Sequence, residues 1–93
     1  MLHMAVAALA MLSGASAAVW QDDGTVKIAV TFAAEDPRNP FPQGEKLLMA
    51  EARSACGDKG TPALVGETVV TGIAMAKSGP QISMSGTYAC RKS

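Results

Sequence analysis

Two cysteines, Cys56 and Cys90, and one histidine, His3, are the residues of this 93-residue chain whose chemistry is most restrictive. Thiols 34 positions apart do not form a C-x-x-C redox motif, and in an oxidising compartment they join as one structural disulfide. Closing a loop of that length restricts the unfolded chain and stabilises the fold by roughly 3 to 4 kcal/mol in the chain-entropy account. The alternatives are two free thiols or a redox pair.

His3 is the sole imidazole, and it precedes an apolar run, residues 4–12, that leads through Ser13 and Gly14 into Ala15, Ser16 and Ala17. A short apolar core followed by small side chains is the layout of a secretory signal peptide. The expectation is a leader, residues 1–18, removed after Ala17 or Ala18, and a single exported domain, residues 19–93, in the periplasm or outside the cell. The segment before the run, Met1-Leu2-His3, has no Lys or Arg. An uncleaved anchor and an Ala-rich first helix are the competing readings. The anchor would need about 20 apolar residues, and a domain helix would show a polar face that residues 4–12 lack.

Losing the leader removes His3, and with it Ser-His-Asp catalysis, Cys-His catalysis and ordinary His-based zinc sites. The sequence contains no glycine-rich phosphate loop and no C-x-x-C-H haem attachment. Glu45 and Glu51 are turned well apart around one helix. A non-enzyme without metal or cofactor is expected. The eight basic and eight acidic side chains cancel, and only Arg91 and Lys92 are adjacent bases. The footprint of nucleic-acid binding is therefore missing, and no membrane span is expected after the leader. Apolar residues make up 48% of the chain and charged ones 17%, which is the balance of a globular domain rather than a disordered one.

These residues need elements to hold them. Val26, Ile28, Val30 and Phe32 alternate with Lys27, Ala29 and Thr31, which predicts a strand over 25–32 after a turn at Asp23-Gly24. Three prolines, Pro37, Pro40 and Pro42, then impose an extended loop. A helix is predicted from about 42–44 through Cys56, with Glu45 in its first turn, Leu48, Met49, Ala52, Ala55 and Cys56 on the buried stripe, and Gly57 as a left-handed cap. Two strands follow, about 63–76 and 81–90, joined by a hairpin at Lys77-Ser78-Gly79-Pro80. In the last strand Ile82, Met84, Gly86, Tyr88 and Cys90 share one face. In the middle strand Val69, Ile73 and Met75 are assigned to the core with Thr71, and Val70, Gly72, Ala74 and Ala76 to the opposite face. Gly66 or Gly72 marks a bulge.

The predicted fold class is α+β: a small β-α-β-β sandwich, a three-stranded antiparallel-type sheet covered on one face by one helix, with a helix-to-strand disulfide between Cys56 and Cys90. Function then falls to exposed surfaces. The uncovered sheet face, represented by Thr31, Val70 and Ser85, is flat, made of small residues and nearly uncharged, which suits a protein partner or a homodimer. The loop 35–42 displays Arg38 and Phe41 between prolines, which suits an inhibitor or effector. Trp20 beside Asp22 and Asp23 is a third, weaker feature.

Overall fold

The structure is a computed structural model that describes residues 15–92. The apolar run 4–12 and His3 lie outside the described residues. The chain forms β1 (Ala15–Trp20), β2 (Val26–Ala33), α1 (Phe41–Cys56), a 3-10 turn (Gly57–Lys59), β3 (Thr61–Ala76) and β4 (Gly79–Arg91). All strands pair antiparallel in one four-stranded sheet, in the order β1-β2-β4-β3.

The α+β class, the helix-covered antiparallel sheet and the Cys56–Cys90 disulfide match the expectation. The strand count does not: there are four strands, not three. The added strand is β1, in register with β2 from Ala15 opposite Thr31 to Trp20 opposite Val26. Its first four residues are Ala and Ser, which have little strand propensity of their own, so pairing to β2 places them in the sheet. The expected cleavage points after Ala17 and Ala18 both fall inside this strand.

A tight turn joins β1 to β2. The Asp23 carboxylate accepts hydrogen bonds from the Thr25 hydroxyl at 2.6 Å and the Thr25 backbone N–H at 3.0 Å. Those two bonds, the hydroxyl first, hold the Asp23 carboxyl below its ordinary value. Along β2, Val26, Ile28, Val30 and Phe32 are buried, while Lys27, Ala29 and Ala33 are exposed and Thr31 is half-buried. Central strand β4 adds Ile82, Met84 and Tyr88 to the same core.

Helix α1 starts at Phe41 with Pro42 in its first turn, where a missing N–H costs nothing. That start places Glu45 beyond the first turn, so the expected macrodipole contribution does not arise. Gly57 follows at φ 52° and ψ −124°, a positive φ outside the left-handed helical well, and its N–H donates to the Arg53 carbonyl. Gly44, Leu48, Ala52 and Cys56 are the buried row, each one turn from the next. Gly44 lets the helix approach the sheet closely: a β-carbon there would collide with the Met84 side chain and crowd the Phe32 ring.

Strand β3 corrects the assigned faces. Register shifts between Val65 and Val69, and between Val70 and Gly72, insert extra residues relative to β4. As a result Val70 lies opposite buried Met84 on the helix side, while Val69 lies opposite Ser85 on the open side. The expected bulge glycines thus sit where the ladder breaks, and those bulges reverse the Val69 and Val70 assignment. Thr71 is the extra residue and is exposed, not a core guest.

Two stability outcomes follow. Gly44→Ala should destabilise the domain by about 1 to 3 kcal/mol through overpacking, read from the denaturant midpoint. The double change Cys56→Ala with Cys90→Ala should cost roughly 3 to 4 kcal/mol, read in guanidinium unfolding against the oxidised parent.

Candidate functional site

Cross-strand partners share a face, so the register defines the two sides of the sheet. Ile73 stands opposite Ile82 and Met75 opposite Pro80, which puts both on the helix side together with Val70. The expectation that Ile73 and Met75 enter the core fails on coverage rather than on direction. They remain 68% and 76% exposed, because α1 lies over β2 and β4 and its buried row meets Phe32 and Met84.

Glu45 joins the helix to this strand. Its Oε2 accepts a hydrogen bond from the Thr68 hydroxyl at 3.0 Å. Phe41 is one turn earlier on the same helical flank and is 41% exposed. Phe41 thus lies on the helical flank that meets β3, and Val70, Ile73 and Met75 stand on the helix side of that strand. From Thr68 to Ala76 the strand has no ionisable side chain.

The open side is mixed: Val65 and Val69 are exposed there, while two of the residues expected on it are covered. Ser85, flanked in register by Ala29 and Val69, is only 5% exposed. Thr31 is half-buried, and its hydroxyl shares a hydrogen bond with that of Ser83 at 2.9 Å. The three residues expected on one face are therefore divided: Thr31 and Ser85 lie on the open side, and Val70 lies on the helix side.

The expected loop 35–42 is cut short, because Phe41 and Pro42 open α1, and its remaining residues, 35–40, are shaped before any partner arrives. Gln43 donates from Nε2 to the Ala33 carbonyl at 3.0 Å and accepts the Glu35 N–H at 2.9 Å. Asp36 accepts the Arg38 N–H at 3.1 Å, and the Asn39 N–H donates to the Asp36 carbonyl at 3.0 Å. The Arg38 side chain is 94% exposed, with Nε 3.7 Å from the Asp36 carboxylate, a surface ion pair of small energetic weight. A shallow groove beside it is lined by Glu35, Asp36, Gln43, Lys46 and Leu47 among others.

At the far end of the sheet Trp20 lies on the helix side, opposite Val26, and Lys59 places its Nζ 4.0 Å from the ring centroid. Sequence spacing contains no signal for this contact or for the Glu45–Thr68 bond, because each joins segments that only the fold brings together.

Among the described residues, no group of three or more His, Cys, Asp or Glu stands together as a metal site, and no helix is long and apolar enough to cross a membrane. No family model, no curated protein and no solved structure matches the chain.

Tyr88 reports on the electrostatics under the helix. Burial pushes its phenol above the ordinary value of 10.0, and the nearby Glu45 charge adds to the shift. Because the folded state holds this proton more tightly, the stability it confers is complete below the unfolded value and is lost as pH rises through the folded one. Tyr88 is the sole tyrosine, so phenolate absorbance reads it directly. Its midpoint should exceed 10.0 and coincide with loss of structure, and Glu45→Gln should lower that midpoint without abolishing the shift.

Proposed function

We propose that this chain is a small exported domain that works by non-catalytic binding, in the cell envelope or the extracellular space, and that its contact surface is the apolar face of Val70, Ile73 and Met75 on β3, with Phe41 on the flank of α1. The observation that carries the reading is the exposure of Ile73 and Met75, 68% and 76%, on a strand stretch without charge. Contiguous apolar surface of this kind on a small domain marks an interaction site. The disulfide supports the compartment, since such bonds persist where the environment is oxidising.

Export and the leader belong to the same proposal. With cleavage after Ala17, Ala18, Val19 and Trp20 would keep their places opposite Ile28, Lys27 and Val26. The stretch Ala29 to Thr31 would then lose its neighbour, so the processed domain would have a shorter β1 and a partly open β2 edge.

A second reading is an inhibitor or effector acting through the loop 35–40. It rests on the display of Arg38 on a segment that Asp36 and Gln43 have already shaped, because a preorganised loop binds at lower entropic cost.

Intact mass of the protein in the native host's fractions tests the compartment: an oxidised species beginning at Ala18 or Val19 outside the cytoplasm is expected, and a full-length reduced cytoplasmic species would overturn export. Capture from extracytoplasmic extract then separates the surfaces. Ile73→Lys with Met75→Lys should abolish capture while changing stability by no more than about 0.5 kcal/mol per exposed site. Loss with Arg38→Ala instead would favour the loop, and retention by both variants would reject both surfaces.

A further inference from the structure

Resting on that binding reading, we propose that the occupant of this surface is a second copy of this chain, paired antiparallel along β3 through residues 72–76 about a two-fold axis at Ala74. The sheet order leaves β3 with β4 as its only partner among the described residues, so its outer row of backbone groups is free to template another strand. The two bulges divide that edge. Residues 72–76 pair with 79–83 without a break, while the register shifts between Val65 and Val69 and between Val70 and Gly72 twist the rest away. Of the two unbroken segments, 61–65 carries Pro62, whereas 72–76 contains none of the devices that keep edges apart: no Pro, no Lys and no other charge.

The composition of this segment favours self-pairing. An axis at Ala74 sets Ile73 against Met75 of the copy on the helix side and Gly72 against Ala76 of the copy on the open side. The period-two pleat keeps each face with its like. Two Ile73 and two Met75 side chains then form a single apolar cluster, continuous with Val70 of both chains. No like charges meet across such a pair, and no ionisable group is buried without a partner. An isologous contact of this kind closes at two copies, because both chains use the same β3 segment, and β1, the other edge of the sheet, takes no part.

The area sets the strength. The exposed parts of Phe41, Val70, Ile73 and Met75 with the adjoining backbone amount to on the order of 500 Å² per chain, or about 1,000 Å² for the pair, the lower limit for a specific interface. A weak, reversible dimer in the micromolar range is expected, insensitive to salt because no ion pair holds it.

Sedimentation of the purified, disulfide-intact exported protein over a range of concentrations tests this. A monomer–dimer equilibrium is expected, and Ile73→Lys and Met75→Lys should each weaken it by about tenfold or more with the fold intact by circular dichroism. Should either lysine variant misfold, Ala74→Cys gives an independent readout: a residue on the axis meets its own copy within disulfide reach, so this variant should cross-link to a covalent dimer under mild oxidation. A chain that stays monomeric at its highest soluble concentration overturns self-pairing. So does a dimer that survives both lysine substitutions, or one in which Ala74→Cys fails to cross-link. A monomer whose capture of another protein is lost on Ile73→Lys would overturn self-pairing alone and leave the binding reading standing. A monomer that captures nothing through this surface would remove both.

Discussion

One helix has to cover a four-stranded sheet, and that mismatch of widths governs the rest of the molecule. A helix with its side chains is about 10 to 12 Å across, whereas four strands at about 4.8 Å spacing extend for roughly 19 Å. The core is drawn from the two central strands, β2 and β4, which contribute Val26, Ile28, Val30, Phe32, Ile82, Met84 and Tyr88, while β3 meets the helix at Thr68. Strands β1 and β3 are left at the margins, and their side chains on the helix side meet the flanks of α1 or solvent.

The margins differ in how they are closed. Near the C-terminal end of α1, the Cys56–Cys90 bond ties the helix to β4, Pro62 of β3 lies opposite Cys90, and Lys59 caps the Trp20 ring of β1. Near its N-terminal end Gly44 lowers the helix onto Met84 and Phe32. Beyond the Glu45–Thr68 bond, no comparable tie reaches Ile73 or Met75. The domain is thus polarised into a stapled end and an apolar open end. Binding at the open end leaves the staple untouched, which separates the residues that maintain the fold from those proposed to recognise a partner.

The same geometry demotes the open sheet face. Its small Ser, Thr and Ala side chains pack against their cross-strand neighbours, as Ser85 does between Ala29 and Val69 and Thr31 does with Ser83. Val65 and Val69 are exposed on that face too, but Ile73 and Met75 on the helix side are the more exposed apolar side chains of β3.

What the sequence alone determined was everything that follows from period and residue type: the alternation of β2 and β4, the helical stripe of Leu48, Ala52 and Cys56, the proline-rich loop, and a disulfide joining two positions that both point inward. Each of these is a local pattern whose signal survives without the partner it packs against. Three features were decided only by the tertiary structure. Strand β1 exists because β2 has a free edge to pair with, not because Ala and Ser favour extension. The faces of Val69 and Val70 depend on where β3 slips against β4, and a one-residue shift turns every following side chain over. The exposure of Ile73 and Met75 depends on the width of a helix placed two strands away. Sequence periodicity shows which way a side chain points, and only the assembled layers determine whether anything is there to meet it.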